Sequence, residues 1–346
     1  MPVTDPPTLT PAQLTAFYDR ISLPALHRHL PSPSLTTLLR SPAASLTFLS
    51  ALLRHSLATI PFENLSLHYS AHHTVSITPS SLYAKIVTPS SRRGGYCMEN
   101  NGLFLLVCRS LGFDIYPVGA KVNESVSAND PAVPREKLKY SGWSHMVNLV
   151  TLPMDGGGEG VFLCDIGFGA GGPSRPLLVR DGETVVNVPG KTGGEEGGHV
   201  VRFVREKVAQ TTRGRGRENE MWVFERRTEE GEFRPFYCFT EQEFFEGDFE
   251  VMSHATSTRR GSWFTYQVVC SIKILDEAGE RVVGEVGLFE KGLKKRMFGE
   301  TVETRVLKSE EERVKALEEY FGIVLSEPEV EGIIGMVSMI KPESKP

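Results

Sequence analysis

The stretch RRGGYCMENNGLFLLVCRSLGF, residues 92–113, decides how this chain is read. Leu103, Phe104, Val107 and Leu111 fall on one helical face and the run stops at Gly112, so a helix begins at or just after Cys97. The interior Gly102 weakens that helix slightly. Gly94 and Gly95 permit a tight, unusual backbone immediately before the cysteine. A thiol at a helix N-terminus feels the positive end of the helix dipole and free N–H groups, which favours thiolate. The same N–H groups can hold an oxyanion. A solitary cysteine is more often an inert core residue. The double glycine before Cys97 and the polar Glu99, Asn100 and Asn101 after it favour a nucleophile instead.

On the N-terminal side the chain reads as helix. Thr10 caps a helix with Pro11 at its first position. LTFLSALLRHSLATI (46–60) has helical apolar spacing, and 79–87 reads as a short helix. On the C-terminal side the character changes near Asp114. DIYPVGAKV, HMVNLVTL and VFLCDIGF are short, rich in β-branched and aromatic residues, and separated by turn-forming stretches. Strand signals recur at 184–188, 199–204 and 220–226, which suits an antiparallel barrel or sandwich. Beyond 235, TEQEFFEGDFEVMSHATS (240–257) reads as helix, and 263–275 and 281–291 as a hairpin around DEAGE. SEEERVKALEEYFG carries a capping box, Ser309 with Glu312, and ends at Gly322. The order is helices, then strands, then α/β: an α+β chain, divided as 1–112, 113–234 and 235–346.

Composition narrows the function. The 346 residues exceed one small core; 40% are hydrophobic and 23% charged, as in ordinary globular proteins. A net charge of -5 argues against a nucleic-acid partner, which needs a clustered basic excess. The one basic cluster, Arg213, Arg215 and Arg217 among glycines, reads as a solvated loop. No apolar run approaches a membrane span, and the first residues lack the pattern of a signal peptide. Five scattered cysteines without a CxxC pair suggest neither a zinc site nor a disulfide framework. A cytoplasmic protein, without metal and without membrane contact, is expected.

A cysteine nucleophile needs a base and a group to orient it. Nine histidines are available. His145 opens a strongly apolar strand; His254, in the polar stretch SHATST, competes with it. Asp165 ends the apolar segment VFLCD, where a carboxylate is costly unless paired. If the His145 and Asp165 strands form a hairpin across 153–160, the two side chains become neighbours on one face. An Asp that merely caps the following turn is the competing reading. GFGAGG (167–172) lacks the register and the Gly-Lys-Ser/Thr ending of a phosphate loop.

The segments IPFENLSLHY (60–69), RGGYCMENN (93–101), SHMVNLV (144–150), CDIGFGAGGPSRPL (164–177) and DFEVMSHATST (248–258) occur together and in this order. In these the chain resembles the arylamine N-acetyltransferases, and among them the eukaryotic microbial, fungal-type members. The resemblance covers roughly 250 residues. It implies a helical bundle, an antiparallel β-barrel and an α/β lid. It implies a triad of Cys97, His145 and Asp165. It implies ping-pong transfer of an acetyl group from acetyl-coenzyme A, through an acyl-cysteine, to an arylamine, hydrazine or arylhydroxylamine.

Carried over residue by residue, the resemblance assigns coenzyme A contacts to Ser141, Gly142, Ser257, Thr258 and Ser262. It assigns the substrate pocket to Phe62, Tyr96 and Phe168, and structural support of the cysteine loop to a Glu63–Arg93 pair. No cofactor is expected to stay bound; the acyl-coenzyme A is a co-substrate, and the chain a monomer or weak homo-oligomer. Two stretches, 123–140 and 155–160, look like insertions on the approaches to His145 and Asp165. Malonyl- or propionyl-coenzyme A is the alternative donor, because Arg175 or Arg260 at the rim could pair with a malonyl carboxylate. A papain-like hydrolase and a non-catalytic binding protein are the more distant readings.

Overall fold

The computed structural model describes residues 6–88, 92–125, 133–212, 219–227 and 231–341. The expected basic loop at Arg213, Arg215 and Arg217 lies outside them. Helices α1 (Pro11–Arg20), α2 (Pro33–Leu39), α3 (Pro42–Thr59) and α4 (Pro79–Ile86) open the chain, each with proline in its first turn. Thr10 and Gln13 make a reciprocal capping box on α1. These helices bury Phe17, Phe48, Leu52 and Leu53 against α5 (Cys97–Ser110).

Eight strands form a nearly closed, antiparallel, barrel-like sheet. They are β2 (Asp114–Val122), β3 (His145–Pro153), β4 (Glu159–Cys164), β5 (Leu177–Leu178), β6 (Thr184–Val188), β7 (His199–Glu206), β8 (Met221–Arg227) and β9 (Phe233–Glu243). Their spatial order is β5-β4-β3-β2-β9-β8-β7-β6. β3 is apolar almost throughout because helix α5 covers one face and barrel side chains the other. The expected boundary at 234 falls inside β9, which pairs with both β2 and β8.

A second sheet carries β1 (Phe62–Glu63), β10 (Val269–Leu275), β11 (Val282–Phe289), β12 (Gly292–Met297) and β13 (Glu300–Val306), in that order. β1, from the helical part of the sequence, pairs with β10 at Phe62–Ser271 and Glu63–Cys270. Helices α6 (Glu246–Thr258), α7 (Glu310–Phe321) and α8 (Glu327–Gly332) complete the chain.

Two expectations change. The helix read over 240–257 starts only at Glu246, because residues up to Glu243 continue β9. On α7, Ser309 Oγ accepts from Glu312 N, but the Glu312 carboxylate caps Lys308 N instead of completing the box.

Candidate active site

Cys97 is the first residue of α5, after Tyr96 in an extended conformation. The Glu99 carboxylate returns to accept from Tyr96 N at 3.1 Å. Gly94 and Gly95 serve close packing rather than unusual dihedrals. A Cβ on Gly94 would lie 1.7 Å from Pro61 O, and one on Gly95 2.5 Å from Glu99 Cβ. Cys97 Sγ lies 3.5 Å from Ser144 O, at the start of the His145 strand.

The β3–β4 hairpin pairs Asn148 with Cys164. Asp165 lies one residue past that ladder and on the same face as His145. His145 Nε2 stands 2.8 Å from Asp165 Oδ2, and Cys97 is the imidazole's other hydrogen-bonding partner. Burial alone would push the imidazole down. The Asp165 charge and hydrogen bond, with the Cys97 contact, outweigh it and raise His145 to about 10. Burial likewise opposes ionisation of Asp165, yet His145, Asn101 and Gly167 N–H hold its carboxyl below the ordinary value. Phe168 and Tyr237 wall the imidazole, with ring centroids 5.4 and 5.1 Å away.

The sequence reading noted Asn101 only as a polar residue after Cys97 and gave it no role in the triad. Its Nδ2 donates to Asp165 Oδ1 at 2.8 Å and to Met146 O at 2.6 Å, while its Oδ1 accepts from Ile166 N. Its position four residues after Cys97 was the available signal, since both then share one helix face.

Glu63 and Arg93 pair, with Arg93 Nε 3.1 Å and Nη2 3.2 Å from the carboxylate. Lys85 and Glu99 join them at 2.7 Å from each other, and α8 adds Glu329 on Arg93 at 2.9 Å. Burial raises the Glu63 carboxyl, but Arg93 and Lys85 hold it below its ordinary range.

Cys97 and His145 open onto a cavity of about 750 Å³. Phe62, Phe168, Ser141, Gly142 and Ser262 line it. Tyr96 does not; it is buried, with its hydroxyl 2.5 Å from Ser253 Oγ, so it ties α6 to the cysteine loop. Ser257 and Thr258 also lie off the wall, because their hydroxyls bond back to His254 O within α6. Trp143, Trp263 and Phe264 supply aromatic wall that sequence reading missed. Arg175 and Arg260 are exposed and line none of it; the cations on the wall are Arg259, Lys294 and Arg296. Of the two insertions, 123–140 reaches the rim through Asn123 and Glu124. The 155–158 turn sits at the far end of the β3–β4 hairpin, a full strand away from His145 and Asp165. Among the described residues no helix is long and apolar enough to cross a membrane.

The N-acetyltransferase family matches residues 45–330. The N-malonyltransferase FDB2 of Fusarium pseudograminearum is 36% identical, with 96% of this chain and 94% of that protein covered. The liver arylamine N-acetyltransferase of Gallus gallus is 26% identical, with 82% of this chain and 90% of that protein covered. The Mycobacterium marinum arylamine N-acetyltransferase in complex with CoA superimposes with a TM-score of 0.67 at 25% identity, covering 93% of this chain and 98% of that one. Family match, relatives and fold agree, and the chain belongs to the arylamine N-acetyltransferase family.

Proposed function

We propose that the chain is an acyl-coenzyme A:arylamine N-acyltransferase that works through an acyl-Cys97 intermediate. The observation that carries this reading is the Cys97–His145–Asp165 arrangement at the wall of one deep cavity. The Cys97 thiolate attacks the thioester carbonyl, and the C–S bond to coenzyme A breaks. The departing thiolate takes its proton from the His145 imidazolium, which Asp165 stabilises. An arylamine, hydrazine or arylhydroxylamine nitrogen then attacks the acyl-cysteine. Its proton passes to His145, and Cys97 leaves as thiolate.

Ser141, Gly142 and Ser262 line the cavity near the start of β3 and after α6, which supports donor entry on that side. The aromatic wall of Trp143, Trp263 and Phe264 suits a planar acceptor. Acetyl is the donor group that the family resemblance supports. Malonyl is the second reading, favoured by the N-malonyltransferase relatives. Five free, buried cysteines support a reducing compartment such as the cytosol.

Intact-protein mass spectrometry after exposure to acetyl-, propionyl- and malonyl-coenzyme A tests the reading. One acyl group should appear on Cys97 and leave when an arylamine is added. An enzyme that no acyl-coenzyme A modifies would sink it.

A further inference from the structure

The cavity wall is asymmetric in charge. Alternate residues of β11, Glu285, Gly287 and Phe289, face the cavity. They span about 14 Å at the usual strand rise. The Phe289 end is aromatic, with Trp263 6.0 Å away. The Glu285 end is basic. The Glu285 carboxylate accepts from Lys273 Nζ at 2.6 Å and from Gly171 N at 3.0 Å, and Arg296 Nη1 lies 3.6 Å away.

Arg226 approaches the same cluster from β8 on the barrel. Its guanidinium packs over Phe236 at 4.7 Å. Gly171 makes room for it, because a Cβ there would lie 2.8 Å from Arg226 Nη1. Among the described residues Arg226 has no ion pair. Three cations, Lys273, Arg296 and Arg226, therefore stand around a single carboxylate, and Lys294 adds a further positive charge on the wall. His199, beside them, is pushed down to about 4 by burial and then by Arg226, so it stays neutral at pH 7. An excess of positive charge in a half-enclosed site calls for an anion.

The cluster and the nucleophile share one cavity, and the 167–171 loop links them. A Cβ on Gly167 would lie 2.7 Å from Cys97 Cα, and Gly171 is already at Glu285 and Arg226. Four residues separate the two points, at most about 14 Å of backbone. The loop turns through positive φ at Gly169 and Gly171, which shortens that span.

We infer that Arg296 on the cavity wall, reinforced by the neighbouring Arg226 off the wall, forms a carboxylate subsite that reads the free carboxylate of a malonyl group carried to Cys97. The inference rests on the acyl-transfer reading above and takes malonyl, the second donor named there, as the preferred one. An acetyl group gains nothing from the subsite. A malonyl group has its carboxylate on the carbon next to the carbonyl that Cys97 attacks, and that carboxylate emerges unchanged in the N-malonyl product. The aromatic end of the cavity is left for the acceptor ring. Arginine suits the role because its planar fork binds a carboxylate through two hydrogen bonds.

The test is competition between equal concentrations of malonyl- and acetyl-coenzyme A, read as the acyl mass on Cys97 before any acceptor is added. Wild type should be predominantly malonylated. In Arg226→Gln and in Arg296→Gln the malonyl rate should fall about ten- to a hundredfold further than the acetyl rate. Arg226→Lys should restore part of the preference. The Arg296 side chain is 38% exposed, so its variant guards against a loss of folding in Arg226→Gln. A wild type that prefers acetyl, or variants that lose both donors equally, overturn the inference. A change in preference between 4-aminobenzoate and aniline, with donor choice unmoved, would assign the carboxylate to the acceptor and also overturn it. Absence of any acyl-cysteine with either donor would instead defeat the acyl-transfer reading itself.

Discussion

Asn101 Nδ2 donates to Asp165 Oδ1 at 2.8 Å, so the helix that begins with Cys97 also grips the carboxylate that faces His145. One helix thereby sets the relative positions of all three groups. Removing a hydrogen bond to a buried charge costs about 1.5–3 kcal/mol. Asn101→Ala should slow acylation of Cys97 about ten- to a hundredfold while the protein stays folded. Burst release of coenzyme A measures this; an unchanged burst rate removes Asn101 from the account.

Asp165→Asn keeps the shape and loses the charge that holds the His145 tautomer and its imidazolium. Acyl-cysteine formation should drop by at least about a hundredfold, with circular dichroism preserved. Acylation at the wild-type rate would reduce Asp165 to a cap on the Gly167 turn.

The same pair sets a pH window. His145 is raised from 6.5 to about 10, so its contribution to stability is complete below pH 6.5 and is lost as pH rises through about 10. Asp165 is lowered from 3.8, so its contribution is present above that value and is lost as pH falls below it. The gap in Tm between wild type and Asp165→Asn should be widest between these limits. It should narrow as pH rises from 6.5 towards 10, in a thermal melt series. A gap that is flat up to pH 10 contradicts the ion pair.

Arg93→Gln leaves Glu63 with Lys85 at 3.6 Å as its remaining cation. Breaking a buried ion pair costs about 3–5 kcal/mol, and Lys85 places this case at the low end. Denaturant unfolding should show a loss of about 3 kcal/mol, with near-normal acylation per folded molecule. A stable but inactive variant would show that Arg93 acts on substrate.

Iodoacetamide should modify one cysteine. Cys97 and Cys270 both border the cavity. Burial pushes the Cys270 thiol well up, with the Glu63 charge adding to it. Burial also raises Cys108, Cys164 and Cys238, the last to about 12. Peptide mapping after brief labelling at neutral pH should find the label on Cys97; equal labelling at Cys270 would count against Cys97 as the reactive thiol.

Local signals in the sequence located the helices and the inner strands well. Thr10, Ser309 and the apolar faces of α3 and α5 are short-range features, and β3 announces itself by its mostly apolar run. β12 and β13 escaped notice because GLKKRM and ETVETRV are charged, at the outer side of their sheet, and show no apolar alternation. Residues 240–243 have helical character, yet pairing of β9 with β2 keeps them extended. At the site, Cys97, His145 and Asp165 each carried a local mark. The basic wall did not. Which arginine faces the cavity depends on how distant segments pack, through strand register for Arg296 and the end of α6 for Arg259, so these could not be told from Arg260 and Arg175 in advance.

The pairing of β1 with β10 has a consequence for how the chain is made. Asn64 Oδ1 accepts from Val269 N, a contact across 205 residues. Glu63 and Arg93, beside the nucleophile, sit on this same seam. A nascent chain that has released its first hundred residues from the ribosome therefore holds Cys97 but lacks the strand that closes the floor beneath it. The reactive thiol and its charged support wait for β10 to be synthesised, and such a long loop closes late.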